Sequence, residues 1–243
     1  MRVLIGVASC ERDAANGCHD AIRRTWVSCM VPGLDYKLFV GRGTQILAPD
    51  EERLFCSDGA DENGGVPSAP GLCEKTQAMR RWALEHGYDY MFKADRDTFL
   101  SPRRLLASGF EKYDYVGHFP RHPQEGFIPT MPDSQGIFPY ASGGCGYWLS
   151  KRAMEAMVAA PLDEKRLNSC GLPSEDLWIP NVLFPLGIFG YHDPLYFFKG
   201  DRLVNDPWNK HVDGIGISVH LGFRSGFQPS WLDRCYELSK GAL

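Results

Sequence analysis

Residues 88–100 read Tyr88-Asp89-Tyr90-Met91-Phe92-Lys93-Ala94-Asp95-Arg96-Asp97-Thr98-Phe99-Leu100. The run "YDYMFKA" is aromatic and apolar, has strand length, and is expected to be buried on both faces. A strand of that kind belongs to a sheet covered by helices on both sides. In such sheets ligands sit outside the carboxyl ends of the strands. "KADRD" lies at that end. Asp95 and Asp97 are two apart, so a persisting extended backbone would point both carboxylates the same way. Two like charges that close repel, so a positive partner is expected there. Hard oxygen ligands suit Mg²⁺ or Mn²⁺, ions that take one or two protein carboxylates and leave positions for substrate phosphates. A metal-bound diphosphate is the expected cargo. The plainer reading is a solvated turn in which Asp97 or Ser101 caps the next helix.

On either side of this stretch, strand and helix patterns alternate. "RVLIGVAS" reads as a buried first strand, "CHDAIRRTW" as a helix and "YKLFVG" as a second strand. Residues 48–71 are rich in Gly, Pro, Asp and Glu and are expected to form a long surface loop. "EKTQAMRRWALEHG" predicts a helix with Ala78, Met79, Trp82 and Ala83 on one face and Gly87 as its stop. Ser101-Pro102 predicts another helix start, with serine as cap and proline at the first helical position. "YDYVGHF" reads as a strand, Ser150 as the cap of a further helix, and "SEDLWIPNVLFPLG" as a helix with acidic residues in its first turn. The alternation predicts an α/β fold around a mainly parallel sheet.

The chain has 243 residues, 44% hydrophobic and 12% aromatic, with a net charge of -4. That suits one globular domain over residues 1–243 and gives no reason to expect a nucleic-acid partner. No run of about 18 apolar residues predicts a transmembrane segment, and "MRVLIGVASC" reads as a strand rather than a signal peptide. If Met1 is the native start, a soluble, cytoplasmic protein is expected. The 8 cysteines form no CxxC pair, which argues against zinc and leaves disulfides open.

Three further groups recur at comparable places. In "SED", Glu175 and Asp176 follow Ser174 at a helix start, which is also an ordinary capping arrangement. His220, in "ISVHLGF", is either a core histidine or a ligand for an Mn²⁺-like ion. Gly143 and Gly144, in "SGGCGYW", permit close backbone approach to a ligand or make a tight turn.

Taken in order, these pieces resemble a family. The chain is similar to the β1,3-glycosyltransferases of the fringe and core 1 galactosyltransferase type, relatives within glycosyltransferase family 31 with a GT-A fold. "AIRRTW" resembles the I-R-x-T-W segment, "LCEKT" the lysine-threonine helix start, and "KADRDTFL" the K-x-D-D-D-x-[FY]-[VL] metal motif. "YASGGCGYWLS" resembles S-G-G-x-G-Y-x-L-S, and "SEDLW" the E-D-[VL] helix start. The resemblance covers most of the chain. Two departures stand out: Arg96 replaces the middle acid, and "WIPN", with Pro180, replaces a glycine region.

The resemblance implies a UDP-sugar donor and a glycan or glycoprotein acceptor. It implies inverting transfer of a hexose of galactose or N-acetylglucosamine type, with β1,3 linkage. Asp95, Asp97 and His220 would hold Mn²⁺ (or Mg²⁺), and Asp176 would be the general base, its pKa lowered by the helix N-terminus. Arg23, Lys75, Asp95, Arg96, Gly143 and Gly144 would contact the donor; Trp148, Glu175 and Trp178 would contact the acceptor. Arg23 and Lys75 also read as a solvated helix face, and the tryptophans as packing. The donor-binding half would span about 1–118 and the acceptor and catalytic half about 119–243. A trimmed N-terminal anchor would imply the Golgi lumen. Two other readings remain open: a phosphohydrolase using Asp95 as nucleophile, and a nucleotide-sugar-binding module without catalysis.

Overall fold

A computed structural model describes residues 1–58, 69–120, 124–134, 136–162, 175–198, 217–221 and 227–240. Its strands are β1 (Val3–Ala8), β2 (Leu34–Val40), β3 (Glu51–Arg53), β4 (Tyr90–Asp95), β5 (Thr98–Leu100), β6 (Tyr115–Gly117), β7 (Gly126–Phe127), β8 (Tyr147–Ser150), β9 (Gly190–His192), β10 (Tyr196–Phe198) and β11 (Ser218–His220). Its helices are α1 (Glu11–Ala15), α2 (Cys18–Arg24), α3 (Ala69–Glu85), α4 (Pro102–Leu106), α5 (Lys151–Ala159), α6 (Glu175–Leu183) and α7 (Ser230–Ser239).

Eight strands form the main sheet, in the order β3-β2-β1-β4-β8-β6-β9-β7. The β3-β2-β1-β4 half is parallel, β8 runs antiparallel between β4 and β6, and β9 is again parallel to β6. All six residues of β1 are buried. Leu4 and Met91 face a layer built with Met79, Met154 and Trp178, while Ile5 and Phe92 face one built with Ile22, Trp26 and Leu232. Strands covered on both faces read as continuous apolar runs for this reason. In the β1–β4 register Ala8 lies beside Asp95, so Ser9 and Arg96 leave the sheet side by side.

The expected loop over 48–71 needs correcting. It contains β3, paired in parallel with β2, and α3 begins at Ala69 rather than at Glu74. Pro70 and Gly71 fall in the first turn of that helix, where the amides have no intrahelical partner and a proline is tolerated. Ser150 caps α5 by accepting from the Ala153 amide at 3.2 Å, whereas the Ser101 side chain makes no capping bond to α4, whose first residue is Pro102. Ser174 lies outside the described residues.

A second sheet has the order β10-β11-β5. β11 pairs antiparallel with β5, setting His220 opposite Thr98. Among the described residues no helix is long and apolar enough to cross a membrane. Seven cysteines (10, 18, 29, 56, 73, 145 and 235) are free thiols there, and Cys170 lies outside the described residues.

Candidate active site

Extended backbone stops at Asp95; Arg96 and Asp97 form a turn before β5. The two aspartates are therefore not alternate residues of one strand, as the spacing had suggested. The turn is pinned from inside. The Asp95 amide donates to Thr98 Oγ1 at 3.0 Å, and that hydroxyl donates to the Gly144 carbonyl at 3.0 Å.

Each aspartate has its own positive partner. The ammonium of buried Lys93 lies 2.7 Å from Asp95 Oδ1 and 3.3 Å from the Gly143 carbonyl. His220 Nε2 lies 3.3 Å from Asp97 Oδ2. Burial pushes the Asp95 carboxyl up, with only partial relief from Lys93. Burial, the largest single effect, would raise Asp97 too, but the hydrogen bond and charge of His220 together with the Arg96 charge outweigh it and hold that carboxyl below the usual range. The His220 imidazole gains in the same exchange: burial favours its neutral form, but the hydrogen bond and charge of Asp97 together with the Asp95 charge push its pKa up.

The glycines of the loop before β8 make the close approach possible. A Cβ on Gly144 would lie 2.5 Å from His220 Nδ1. One on Gly143 would overlap the Asp176 carboxylate and come within 3.1 Å of Lys93 Nζ. Both positions need the missing side chain for space rather than for an unusual φ.

At the start of α6 two adjacent acids meet different surroundings. Glu175 is 1% exposed; its Oε1 accepts from Arg80 Nη2 at 3.0 Å and from the Tyr147 hydroxyl, and its Oε2 lies 3.5 Å from Lys93 Nζ. Asp176 is partly exposed and accepts from the Gly143 amide. The expected lowering of the Asp176 pKa is reversed. Burial and then the Glu175 charge push it up to about 8, more than Lys93 and the Gly143 amide pull it down.

The acceptor-side residues need correction as well. Trp148 is 0% exposed, stacks on Phe110 at 3.8 Å and donates to the Tyr196 hydroxyl at 2.9 Å. Trp178 is buried in the opposite layer, with the Arg80 guanidinium 5.6 Å from its ring. Neither ring has a face for a sugar, and Glu175 is enclosed with Arg80. All three serve the interior.

On the donor side, Arg23 and Lys75 do not lie on a solvated helix face. Arg23 is bound by Asp50, Glu51 and Asp20 at 2.7–3.0 Å. Lys75 is buried and donates to the carbonyls of Ser9 and Asp58. Arg96 pairs with the buried Asp13 of α1.

No protein-family model matches the chain. The fold is similar to that in the crystal structure of a glycosyltransferase involved in the glycosylation of the major capsid of PBCV-1. The match covers 98% of this chain and 100% of that one, at 13% identity and a TM-score of 0.52. Galactosyltransferase LgtC, crystallised in complex with donor and acceptor sugar analogs, aligns over 100% of this chain and 96% of its own. The identity is 12% and the TM-score 0.48.

The fold is GT-A.

In open α/β sheets ligands bind outside the carboxyl ends of the strands, and the residues at that end of β4 can be tested against a divalent ion. Two carboxylates and an imidazole are the right donor types for Mn²⁺ or Mg²⁺. Asp95, Asp97 and His220 also lie within one another's electrostatic reach. Among the described residues, however, no three His, Cys, Asp or Glu side chains stand gathered for a metal. The donors fit in kind. A cation would add to the neutralisation that Lys93 supplies from the buried side.

Sequence reasoning missed Lys93, Arg80 and Tyr147. Lys93 carried a signal: a lysine inside a doubly buried strand needs carboxylates beside it. Arg80 sits on the apolar side of α3 with no comparable mark in its own neighbourhood.

Proposed function

We propose that this protein is a metal-dependent glycosyltransferase that moves a hexose from a UDP-sugar to a hydroxyl of a glycan or glycoprotein. The reading includes inversion at the anomeric carbon and a β1,3 linkage, both taken from the motif resemblance. One observation carries it. Three distant segments bring Asp97, His220 and Asp176 to a single glycine loop at the carboxyl edge of β4, on a GT-A fold.

In this reading Asp95, Asp97 and His220 would hold the divalent ion, and the chemistry it would supply there is charge neutralisation at the diphosphate. Glycosidic bond cleavage transfers the bonding pair to that diphosphate. Asp176 takes the acceptor hydroxyl's proton as the hydroxyl oxygen bonds to the anomeric carbon from the opposite face. A carboxylate with a raised pKa is the stronger base, better matched to a hydroxyl than an ordinary aspartate. Lys93 keeps the carboxylates apart in role: it neutralises Asp95 and Glu175 from the buried side. Gly143 leaves the space that Asp176 occupies and fixes that carboxylate with its amide.

Incubation with Mn²⁺ and a panel of UDP-sugars, with and without glycan acceptors, tests the proposal through UDP release. Acceptor-dependent release supports it. Release of inorganic phosphate instead points to a phosphohydrolase, and binding without turnover to a non-catalytic module.

A further inference from the structure

Arg96 is the one member of the "DRD" turn that the proposed chemistry does not use. Its side chain is one-third exposed, yet it is anchored by a deeply buried acid. Nη1 donates to Asp13 Oδ1, and Asp13 is 3% exposed. Asp13 is fixed in turn. Ser9 Oγ lies 3.3 Å from Asp13 Oδ2 and 2.7 Å from His19 Nε2, and His19 Nδ1 lies 2.7 Å from Glu51 Oε1. Glu51 also receives Arg23 Nη2 at 2.7 Å. A string of buried polar side chains therefore runs from β3 across α2 and the end of β1, and stops at Arg96.

Such a string costs desolvation and side-chain entropy, and it fixes the orientation of its last member. A guanidinium has five N–H donors in a planar fork. Among the described residues Asp13 is its hydrogen-bonding partner, through Nη1 alone. The Nε and Nη2 edges are left for a second acceptor. Arg96 itself sits in the turn between Asp95 and Asp97 at the carboxyl edge of the sheet, within reach of the Asp97 charge. The anion expected there is a diphosphate, and the planar fork matches phosphate oxygens.

We infer that Asp13, backed by Ser9 and His19, is a positioning residue that aims Arg96 at the nucleoside diphosphate. Arg96 then supplies a fixed cation, so part of donor binding is independent of the divalent ion. This rests on the glycosyltransferase reading and goes beyond it in assigning the share of binding that needs no metal. Arg96 thereby turns an acidic metal motif into a mixed one: two carboxylates for an ion and one arginine for the phosphates directly.

The test is calorimetric titration of the whole chain with UDP, once in EDTA and once in Mn²⁺. The unmodified protein is expected to bind UDP in EDTA. Arg96→Ala should weaken that binding about tenfold or more, the typical effect of losing a charge-assisted bond. Arg96→Lys should recover only part of it, since a point charge lacks the fork. Asp13→Asn should weaken binding in EDTA while Arg96 is present and add little on top of Arg96→Ala, the non-additivity of two residues acting as one unit. Ser9→Ala, a smaller change to the same string, provides the comparison if Asp13→Asn does not fold. Unaltered UDP affinity of Arg96→Ala in EDTA overturns the inference and leaves the glycosyltransferase reading standing. Fully additive losses for Asp13→Asn and Arg96→Ala overturn the positioning role. Absence of UDP binding by the unmodified protein in both conditions overturns the reading and the inference together.

Discussion

Glu175 and Asp176 are chain neighbours with opposite surroundings: the first is enclosed with Arg80 at 3.0 Å, and the second sits partly exposed against Gly143. Successive helical residues point about 100° apart, which sends one side chain inward and the other to the sheet edge. Charge alone would not have separated them.

Their substitutions should therefore fail in different ways. Glu175→Gln leaves Arg80 and Lys93 with too little negative charge in the interior. Breaking a buried ion pair on one side costs about 3–5 kcal/mol, so urea unfolding should show a large loss of stability. Asp176→Asn should fold normally, bind UDP normally and turn over about a hundredfold more slowly or worse. Normal stability in Glu175→Gln would contradict the buried network.

The raised pKa of Asp176 gives a pH dependence with a definite sign. The base works when deprotonated, so the transfer rate should climb as pH rises toward about 8. Stability should move the other way. Between the ordinary carboxylate pKa and the raised one, the unfolded chain binds fewer protons than the folded one, so stability falls with rising pH. Asp176→Asn removes that fall and should be at least as stable as the unmodified protein at pH 8. A flat pH–stability difference between the two proteins would show that the carboxyl is not perturbed.

His220→Ala should reduce Mn²⁺ affinity more than it reduces the melting temperature. A purely structural histidine would show the reverse. Because Asp97 raises the His220 pKa, protons compete with the ion, and Mn²⁺ affinity should strengthen as pH rises above about 6.5.

Gly144→Ala offers an independent check. Its methyl group would meet the His220 ring at 2.5 Å, on the inner side of the donor set. The expected outcome is a folded protein with weakened Mn²⁺ binding, read by calorimetry. Unaltered Mn²⁺ affinity would place His220 outside the ion site.

Trp148→Ala should cost about 3–5 kcal/mol of stability through cavity formation. Trp148→Phe, which keeps the stack on Phe110, should leave the acceptor KM unchanged. An acceptor-specific rise in KM would contradict the burial of this ring.

Much of this was legible in the sequence where the signal is local. The apolar runs of β1 and β4, the Pro102 start of α4 and the Ser150 cap each depend on a few adjacent residues. The doubly covered sheet follows from those runs. β3 was not legible, because "EER" is polar and earns its strand status only by pairing with β2. The early start of α3 was hidden by Pro70-Gly71. At the site, the residue types were legible but their pairings were not. Lys93 with Glu175, Arg96 with Asp13 and Arg80 with Tyr147 each join segments far apart in sequence. The Asp176 pKa was misjudged because the helix dipole can be read from sequence, whereas burial beside a second acid cannot.

The pairing of β11 with β5 ties the site to the order in which the chain is made. His220 reaches Asp97 only when Ser218–His220 docks antiparallel on Thr98–Leu100, with the Leu221 amide donating to the Asp97 carbonyl at 2.9 Å. Domains begin to fold from the N-terminal side during synthesis. The main-sheet strands from β1 to β9 all precede residue 193, so the sheet can form before His220 is available. A nascent chain stalled before residue 218 would hold Asp95 and Asp97 with no imidazole beside them. Competence for the divalent ion would then arrive late, when the last strand closes over the turn, whereas the Arg96–Asp13 pair is complete long before.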